Sequence, residues 1–515
     1  MASSLLETFL TRARQSPERH VLDFEGQRFS AGQLAGHVTA FASALQRRGL
    51  KPGERVALFL ENSPAFVIAY LGTWYAGGVV VLVNTQYRQV ELGHILADAG
   101  ARACVTGAAG AAELSPLKAS LPTLEWLVTV EPSSASVPWP TIDFDALLAE
   151  GEATASLALP TGEQLAVLGY TSGTTGRSKG AMLRHRNLLA NVRAVTEAWR
   201  WTGQDRLLLT LPLFHTHGLM VGLHGTLYSG GSVDLRRRFV ASEALTVLQE
   251  DTSLTMFFGV PTMYGRLVEE ARRSGLRPRA LRLLVSGSAP LSPQLFHDVE
   301  ETFGQRILER YGMTETLMNT TNPYEGERRP GTVGRPYPGQ EARVVDVRTR
   351  QPLPAGETGE IEVRGPHVFA GYWQRPDATT EAFDSEGWFR TGDLGLKDGD
   401  GYFQITGRAR ELIISGGFNV YPREVEEVLA SHPTVAEVAV LGLPDPDFGE
   451  QVVAVVVTRP GPSSPDAQAL VDHCKDRLAS FKKPRRVVFL DALPRNALGK
   501  VQKHLLRERL QATVQ

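Results

Sequence analysis

The segment 170–180 is the densest cluster of candidate phosphate-binding groups in this chain. It combines glycines, threonines and serines with Lys179, and it follows an apolar run at 165–168 that is typical of a buried strand. Glycines allow backbone N–H groups to approach a polyphosphate, hydroxyls add donors, and a lysine supplies a point charge. We therefore predict that this segment is a phosphate-binding loop.

The spacing within this segment differs from that of the Walker A loop. A Walker A loop needs four residues between its first glycine and a final Gly-Lys-Ser or Gly-Lys-Thr. Here Gly173 and Gly176 are three positions apart, and Arg177 and Ser178 separate Gly176 from Lys179. The spacing therefore argues against a P-loop NTPase. A surface turn of the same composition is the non-functional alternative.

Composition excludes several other classes of protein. The chain has 515 residues, an apolar fraction of 42%, a charged fraction of 21% and a formal net charge of −2, which is ordinary for a soluble globular protein. Such a charge gives no general attraction to nucleic acid or to an anionic membrane. Two cysteines, Cys104 and Cys474, do not make a disulfide scaffold. The apolar runs are too short to span a bilayer and no signal-peptide core is visible, so we expect a cytoplasmic location without integral membrane association.

Short β-branched runs alternate with amphipathic helical patterns in the first part of the chain. The runs at 55–60, 79–83 and 282–286 predict strands, and the patterns at 30–48 and 64–75 predict helices. This alternation favours an α/β fold with largely parallel sheets.

The pattern changes at about residue 331. Shorter runs separated by glycines, at 332–334, 342–347 and 359–364, predict strands of a small β-rich subdomain. A last α/β segment follows Arg408. We therefore expect the chain to contain more than one compact unit.

Further motifs follow the phosphate loop in a defined order. They lie at 212–218, 286–290, 311–316, 391–393, 407–410, 415–419 and 494–500. Together with the loop, this ordered set resembles the adenylate-forming enzymes, which comprise acyl-CoA synthetases, adenylation domains and luciferases. The resemblance covers nearly the full chain. It implies a large N-terminal domain at 1–407 with parallel α/β sheets and the small β subdomain, a hinge at 408–410, and a small mobile α/β C-terminal domain at 411–515.

The resemblance implies a reaction in two steps. A carboxylate attacks the α-phosphorus of ATP, giving an acyl-adenylate and pyrophosphate, and coenzyme A then takes the acyl group. Charge accumulates on phosphate oxygens, so positioned cations and donors supply most of the catalysis. The implied ligands are ATP, Mg²⁺, coenzyme A and a small-molecule carboxylic acid. The residues that the resemblance assigns to the ATP or AMP site are Thr171, Ser172, Gly173, Thr174, Thr175, Gly176, Lys179, Ser288, Ala289, Pro290, Glu309, Arg310, Tyr311, Gly312, Met313, Thr314, Asp393 and Arg408.

Four matched residues are expected to act at the reacting groups. Lys179 would hold the departing β- and γ-phosphates. Glu315 is the expected ligand of Mg²⁺, an ion that leaves most of its coordination shell to water and phosphate. Lys500 would bridge the attacking carboxylate and the α-phosphate, and His215 is the fourth implied catalytic residue.

Other matched residues would hold the nucleoside. Ser288 and Ala289, with Glu309, Arg310 and Tyr311, would line the adenine. Asp393 would accept hydrogen bonds from the ribose hydroxyls, and Arg408 would lie near the same sugar. Thr314 would contact the α-phosphate.

The C-terminal domain of these enzymes rotates after adenylation. The rotation withdraws the residue that matches Lys500 and presents Gly416, Gly417 and Phe418 to the pantetheine tunnel of coenzyme A. The hinge residue is usually lysine or aspartate, whereas this chain has Arg410. Hinge function is therefore expected, with rates that need not match those of other members.

A closer resemblance narrows the choice of carboxylic acid substrate. Peptide-synthetase adenylation domains hold the amino group of their substrate with an aspartate near the position of His215, and 214–218 contains no acid. The stretches 309–324, 329–334 and 493–496 through 499–503, together with 214–218, resemble the malonyl-CoA synthetases. This resemblance predicts malonate as the substrate. The alternatives are another short acid such as methylmalonate, or a medium-chain acid. A carrier protein in place of coenzyme A is the alternative acceptor.

Malonate keeps one carboxylate charged while the other reacts. An unpaired buried carboxylate costs several kcal/mol, so the pocket needs a cation, preferably the bidentate fork of an arginine. We predict Arg282 for this role, because it opens the strand that leads to Ser286. Thr216 and Met318 are predicted to limit the size of a substituent on the α-carbon.

Overall fold

A computed structural model describes residues 4–131, 137–152, 156–171, 178–416, 418–459, 466–475, 477–495 and 501–512. The chain divides into two compact units. The first comprises Met1–Ala342 and Val363–Phe389, and the second comprises Arg343–Glu362 and Arg390–Gln515. The mixed α/β architecture, with a large N-terminal part built on parallel sheets, confirms the predicted fold class.

The first unit contains sixteen of the described strands. They are β1 (His20–Phe24), β2 (Gln27–Ser30), β3 (Arg55–Phe59), β4 (Val79–Leu82), β5 (Ala101–Thr106), β6 (Trp126–Thr129), β7 (Thr141–Asp143), β8 (Leu165–Thr171), β9 (Lys179–Arg184), β10 (Arg206–Leu209), β11 (Ser232–Leu235), β12 (Met256–Gly259), β13 (Leu283–Ser286), β14 (Leu308–Met313), β15 (Leu317–Thr321) and β16 (Arg335–Pro336). The strands predicted at 55–60, 79–83 and 282–286 are confirmed, whereas the strand predicted at 332–334 is wrong because β16 begins only at Arg335.

Helices connect and cover these strands. They are α1 (Leu5–Gln15), α2 (Ala31–Arg47), α3 (Pro64–Tyr75), α4 (Gln89–Ala99), α5 (Ala108–Leu114), α6 (Phe144–Glu150), α7 (His185–Ala198), α8 (His224–Ser229), α9 (Ala241–Glu250), α10 (Pro261–Ser274), α11 (Pro293–Phe303) and α12 (Pro376–Ala382). A 3₁₀ helix (Ser115–Ser120) and a π-helix (His217–Leu223) complete the set in the described part of this unit.

The strands of the first unit form two sheets. One has the order β7-β6-β5-β3-β4-β8-β9 and is parallel except for the β8–β9 pair. The other has the order β16-β15-β14-β13-β12-β10-β11-β1-β2 and is parallel from β14 to β1. In sheets of this kind, ligands bind beyond the carboxyl ends of the parallel strands.

Capping residues begin the two helices that the sequence predicts. At α2, the Ser30 side chain accepts from the Gln33 N–H, and the Gln33 side chain accepts from the Ser30 N–H in return. At α3, Ser63 accepts from the Phe66 N–H, and Pro64 occupies the first helical position. Both predicted helices are confirmed.

Two buried histidines lie in the helical layer of the first unit. The His224 Nε2 atom is 3.0 Å from the Tyr70 hydroxyl, and the His185 ring centroid lies 5.0 Å from that of Trp74. Burial lowers the pKa of each imidazole to about 3, and the proximity of His185 contributes to the lowering at His224. Both side chains are therefore neutral in the folded protein at neutral pH.

These two histidines predict a loss of stability in mild acid. An unfolded chain protonates histidine near pH 6.5, so below that pH the unfolded state binds protons that the folded state does not. The free energy of unfolding should therefore fall as the pH falls from about 6.5 towards 3, by about 1.5 kcal/mol between pH 7.5 and 6.0 for the pair. Denaturant titration at several pH values measures this slope.

A matched pair of variants separates these histidines from the rest of the chain. His185→Gln should remove about 0.8 kcal/mol of the change between pH 7.5 and 6.0, which is half of the share of this pair. His215, His217 and His367, whose pKa values burial also lowers, keep their own contributions. His297→Gln changes a largely exposed histidine (62% side-chain exposure) and should leave the slope as it is. An unchanged slope in His185→Gln would contradict the assignment.

The second unit has its own strands and helices. They are β17 (Glu341–Val345), β18 (Gly359–Arg364), β19 (Phe389–Lys397), β20 (Phe403–Arg408), β21 (Ile413–Ser415), β22 (Phe418–Val420), β23 (Val435–Asp445), β24 (Gly449–Thr458), β25 (Arg486–Phe489), α13 (Pro422–Ala430), α14 (Ala467–His473) and α15 (Lys503–Ala512), with 3₁₀ turns at Ala409–Glu411 and Ser480–Lys482. The strands predicted at 342–347 and 359–364 are confirmed as β17 and β18.

These strands form two further sheets. The order β17-β18-β19-β20 makes the small β sheet, and β22-β21-β24-β23 with β25 beside β24 makes the sheet of the C-terminal segment. The predicted division at 408–410 stays a prediction. Within the described residues, no helix combines the length and the apolar character needed to cross a membrane.

Candidate active site

The two strands that flank the phosphate-binding segment form an antiparallel pair. β8 ends at Thr171 and β9 begins at Lys179, and these two residues are directly paired. The pairing places a hydroxyl and an ammonium group side by side at the end of the sheet. The predicted phosphate contacts Ser172, Gly173, Thr174, Thr175 and Gly176 lie outside the described residues.

Glu315 lies beside this strand pair. It is buried, and its Oε1 atom accepts hydrogen bonds from the Tyr372 hydroxyl at 3.0 Å and the Thr171 hydroxyl at 3.4 Å. The Lys179 Nζ atom is 5.2 Å from the centre of the Tyr372 ring. The structure thus brings together three predicted site residues, Thr171, Lys179 and Glu315, around Tyr372.

This cluster suits a magnesium ion carried by a phosphate ligand. Mg²⁺ usually takes only one or two protein carboxylates and fills the rest of its shell with water and phosphate oxygens. Glu315 supplies one buried carboxylate, with the Thr171 hydroxyl within 3.4 Å of it. Among the described residues no group of three or more acidic, histidine or cysteine side chains is arranged as a metal site. The donor set therefore fits Mg²⁺ bound together with a nucleotide.

The predicted contacts of the nucleoside lie where β13 ends beside the first residues of β14. β13 ends at Ser286, which pairs with Glu309 of β14, and the Glu309 carboxylate accepts from the Leu291 N–H at 3.1 Å. Ser288, between them in sequence, has a φ of +70°. A non-glycine residue held in this region costs free energy and is most often found at functional sites. Ser288, Ala289 and Pro290 thus lie next to Glu309, Arg310 and Tyr311, at the edge where α/β sheets bind ligands.

The turn after β14 packs against the phosphate-binding strand. A Cβ atom at Gly169 of β8 would lie 2.6 Å from the Thr314 methyl group, so the two segments touch. A Cβ atom at Gly312 would likewise lie 2.6 Å from the Met318 methyl group. Glycine at these two positions permits the close approach of Thr314 to β8 and of Met318 to β14. Met313 is the last residue of β14, directly before this turn.

Arg310 is a buried cation at this edge. Its residue exposure is 2%, and a Cβ atom at Gly287 would lie 2.7 Å from its Cζ atom, so the guanidinium covers the turn after β13. Its Nη2 atom is 3.4 Å from the Ser288 hydroxyl. In the part of the chain that the structure describes, its Nε atom has no hydrogen-bond partner. Burial lowers the pKa of Arg310 to about 10, which leaves the group protonated at neutral pH.

The motif at 212–218 contains two histidines, His215 and His217, and the buried His217 lies near Arg310. The His217 Nδ1 atom is 3.4 Å from the Ser288 hydroxyl, and burial followed by the charge of Arg310 holds the pKa of His217 well below its usual value. Burial lowers the pKa of His215 to about 4. Both imidazoles are therefore neutral at neutral pH. Thr216 lies between them, directly before the π-helix.

Ser286 and Met318 occupy buried positions in this region. The Ser286 hydroxyl is fully buried and has no hydrogen-bond partner among the described residues. Met318 is buried, and its N–H donates to the Asn191 side chain at 3.0 Å, while Asn191 donates to the Met220 carbonyl of the π-helix at 3.3 Å. Asn191 therefore ties the strand of Met318 to the helix that follows Thr216.

Within the second unit, Asp393 and Arg408 form an ion pair. They are paired across β19 and β20, and the Arg408 Nε atom is 2.7 Å from the Asp393 Oδ1 atom. Asp393 is buried, and Arg408 is partly exposed. The structure thus brings the two predicted ribose contacts together. Arg410 lies two residues on, in the 3₁₀ turn Ala409–Glu411.

The predicted coenzyme A contacts lie in the same unit, at the β21–β22 turn. Gly416 has a φ of +58°, and its N–H donates to the Phe448 carbonyl at 2.8 Å. Phe418 is 55% exposed, and its ring stacks on Phe481 with the centroids 4.6 Å apart. Phe481 is partly buried against the core of this unit, so Phe418 is the exposed ring of the pair beside the glycine turn. Gly417 and Lys500 lie outside the described residues.

Comparison with known proteins places this chain in a family. The AMP-binding enzyme family matches residues 9–373, and the AMP-binding enzyme C-terminal domain matches residues 424–500. The chain belongs to the AMP-binding enzymes.

Individual AMP-binding enzymes resemble the chain over its whole length. A malonate–CoA ligase of Arabidopsis thaliana is 35% identical over 99% of this chain and 90% of its own length. A sulfoacetate–CoA ligase of Cupriavidus necator is 39% identical over 97% of this chain and 96% of its own. The ATP-bound structure of MatB from Rhodopseudomonas palustris superposes with a TM-score of 0.91 at 38% identity and covers 100% of both chains. The chain is therefore an AMP-forming acyl-CoA synthetase, an ATP-dependent enzyme that acts through an acyl-adenylate.

One predicted residue of this AMP-binding enzyme is not in the candidate site. The Arg282 guanidinium forms a bidentate ion pair with the buried Asp205, with Nε–Oδ1 and Nη2–Oδ2 distances of 2.8 and 3.0 Å, and its Nη1 atom donates to the Trp199 carbonyl at 2.8 Å. Arg282 precedes β13 at its amino end, and Ser286 ends the strand about 13 Å away at the usual rise per residue. The structure therefore does not bring Arg282 to the candidate site, because its charge is already paired with Asp205 at the far end of the strand.

Two residues of the candidate site were not predicted from the sequence of this AMP-binding enzyme. Tyr372 donates to Glu315, from which it is 57 positions away, and Asn191 contacts Met318, from which it is 127 positions away. Burial and the Glu315 charge raise the pKa of Tyr372, so its hydroxyl stays a donor. The glycine–tyrosine–tryptophan run at 371–373 is the one local signal for Tyr372, and no local signal marks Asn191.

Proposed function

We propose that this acyl-CoA synthetase ligates malonate to coenzyme A. One carboxylate oxygen of malonate attacks the α-phosphorus of ATP, and the bond between that phosphorus and the bridging oxygen of pyrophosphate breaks. The thiolate of coenzyme A then attacks the acyl carbon, and AMP leaves. The observation that supports malonate is the buried Arg310 guanidinium, whose Nε atom has no partner among the described residues.

A buried guanidinium favours an anionic ligand. A buried charge without a partner costs several kcal/mol, and a carboxylate that accepts from two guanidinium nitrogens offsets this cost. The distal carboxylate of malonate would supply an acceptor for the Arg310 Nε atom, whereas a monocarboxylic acid would leave the guanidinium with the Ser288 contact and the nearby charge of Glu309. Two relatives are named for acids with a second anionic group, malonate and sulfoacetate. Their names support a substrate with two anions.

The neighbours of Arg310 would complete the acyl pocket. Ser286 and His217 would offer polar contacts to the distal carboxylate, since the Ser286 hydroxyl has no described partner and His217 lies 3.4 Å from the Ser288 hydroxyl. Met318 and Thr216 would limit a substituent on the α-carbon. His215 would line the pocket as a neutral imidazole, because burial lowers its pKa to about 4.

ATP would be held by residues of both sheets. Thr171 and Lys179 would contact the β- and γ-phosphates, and Thr314 the α-phosphate. Glu315 would hold Mg²⁺, which when bound neutralises charge on the triphosphate. Ser288, with Glu309, Tyr311 and Gly312, would line the adenine. These roles agree with the grouping of Thr171, Lys179 and Glu315 within the first unit.

The second unit would supply the remaining groups. Asp393 would accept from the ribose hydroxyls, held in place by its ion pair with Arg408. Lys500 would stabilise the charge that develops as the carboxylate meets the α-phosphate. Gly416 and Phe418 would contact the pantetheine of coenzyme A, with Arg410 as the hinge. The division of the chain at 408–410 belongs to the same proposal.

Sulfoacetate is the second candidate substrate, supported by the 39% identity to the sulfoacetate–CoA ligase. A panel of acids distinguishes the candidates: malonate, methylmalonate, sulfoacetate, acetate and a medium-chain fatty acid, each with and without coenzyme A. We expect the highest kcat/KM for malonate, with a thioester product and release of AMP and pyrophosphate. A preference for acetate or the fatty acid would contradict the two-anion pocket, and turnover only with a carrier protein would contradict coenzyme A as the acceptor.

A further inference from the structure

Helix α4 contacts both strands that flank the phosphate-binding segment. The His94 Nε2 atom is 2.8 Å from the Ser178 carbonyl oxygen, directly before β9. The Tyr170 hydroxyl, near the end of β8, donates to the Asp98 Oδ2 atom at 2.8 Å. Because a carbonyl oxygen only accepts, the His94 Nε2 atom carries the hydrogen. The two contacts therefore hold both strands from one helix.

The two side chains on α4 share a face because they are four positions apart. The opposite face of the helix is anchored in the core through Leu92, Ile95 and Leu96. The helix is thus a fixed support, and His94 and Asp98 project from it to residues adjacent to Lys179 and Thr171, which are paired with each other.

A second set of contacts fixes Asp98 itself. Its Oδ1 atom pairs with Arg375 at 2.7 Å, and its backbone carbonyl accepts from the Trp373 indole at 3.1 Å. The backbone N–H of Trp373 donates to the Gly180 carbonyl of β9 at 2.8 Å. Asp98 is largely buried, with a side-chain exposure of 10%. The carboxylate therefore links α4, β8 and the segment that carries Tyr372.

We propose that His94 and Asp98 are positioning residues that set Thr171 and Lys179 for the triphosphate of ATP. Neither residue needs to touch the nucleotide. Their contacts fix the ends of two paired strands, and the strands carry the groups that meet the β- and γ-phosphates. The inference rests on the proposed role of Lys179 and Thr171 in binding those phosphates.

The test compares ATP with AMP, which lacks the β- and γ-phosphates. Isothermal titration of the full chain, without acid or coenzyme A, gives both dissociation constants. We expect His94→Ala to weaken ATP binding about tenfold, as for loss of one hydrogen bond that orders a charged contact, and to leave AMP binding within about twofold. His94→Gln keeps an N–H donor and should recover most of the ATP affinity. A general loss of structure would weaken the binding of both nucleotides.

Two further variants complete the design. Val90→Ala changes an exposed residue of the same helix (84% exposed) and should leave both affinities unchanged. Tyr170→Phe removes one partner of Asp98 without altering the helix, and should also weaken the binding of ATP but not that of AMP. Equal effects of His94→Ala on ATP and AMP, or no effect on either, would overturn the positioning role.

Lys179→Ala separates this inference from the proposed function. If Lys179→Ala weakens the binding of ATP more than that of AMP and His94→Ala does not, the proposed positioning role is wrong while the role of Lys179 stands. If Lys179→Ala does not distinguish the two nucleotides, the role of Lys179 fails, and the positioning role fails with it.

Discussion

Replacing Arg310 by methionine is expected to lower kcat/KM for malonate by about 10²- to 10³-fold. The distal carboxylate would then enter a buried site without a cation, and removal of one partner of a buried charge pair costs about 3–4 kcal/mol. Arg310→Lys keeps the charge but loses the planar fork, so we expect an intermediate loss. Pyrophosphate release with malonate as the varied substrate measures both variants.

A neutral substrate isolates the charge effect. Monomethyl malonate has nearly the shape of malonate but lacks the distal charge, so its kcat/KM should change much less in Arg310→Met than that of malonate. AMP affinity should also stay close to that of the unmodified enzyme. If Arg310→Met turned over malonate at the unmodified rate, the proposed pocket for two anions would be wrong.

Two other arginines serve as controls for Arg310. Arg306→Met makes the same substitution at an exposed residue (53% side-chain exposure) four positions earlier and should leave malonate turnover unchanged. Arg282→Lys tests the residue that the sequence favoured. Because Arg282 is paired with Asp205, we expect this variant to alter stability rather than the preference for malonate over its monomethyl ester. A selective loss of malonate turnover in Arg282→Lys would reverse the assignment.

Lys500→Ala is expected to slow adenylation by 10²- to 10³-fold. A positioned cation that meets charge developing at the α-phosphate contributes mainly in the transition state, so kcat should fall more than the affinity for ATP. Formation of the thioester from chemically prepared malonyl-adenylate should be much less affected. Single-turnover measurements of the two half-reactions show whether the losses differ.

A second lysine of the C-terminal segment gives the control for Lys500. Lys475→Ala removes an exposed ammonium group that pairs with Asp472, and both half-reactions should proceed at the unmodified rate. If Lys500→Ala slowed adenylation and thioester formation to the same extent, the assignment of Lys500 to adenylation would be wrong. The Arg310 and Lys500 variants should also differ from each other, because only Arg310→Met is expected to discriminate between acids.

The family of this chain could be read from the sequence because its motifs are contiguous. The phosphate-binding segment, the turn around Glu315 and the pair of Asp393 and Arg408 each consist of residues that are recognisable without knowing the fold. Helices such as α2 and α3 were also predictable, because their caps lie within a few residues of the helix start. Local chemistry and local periodicity therefore determined the reaction class and much of the secondary structure.

The choice between Arg282 and Arg310 depended on the tertiary structure. Both are close in sequence to the turn at 286–290, and both could supply a guanidinium. The parallel sheet separates them, because Arg282 lies before the amino end of β13, whereas Arg310 lies in β14 and covers the turn at the carboxyl end of β13. Asp205, 77 positions from Arg282, neutralises one arginine and leaves the other available.

Tyr372, His94 and Asp98 show the same dependence on the fold. Tyr372 contacts Glu315, and His94 and Asp98 contact the residues next to Lys179 and Thr171. All of these contacts join residues that are distant in sequence. The sequence by itself determined that this chain adenylates a carboxylic acid, because that information resides in short motifs. Only the tertiary structure favoured Arg310 over Arg282 for the proposed acyl pocket and brought α4 to the strands beside Thr171 and Lys179, because hydrogen bonds and ion pairs between distant segments depend on the packing of the sheets.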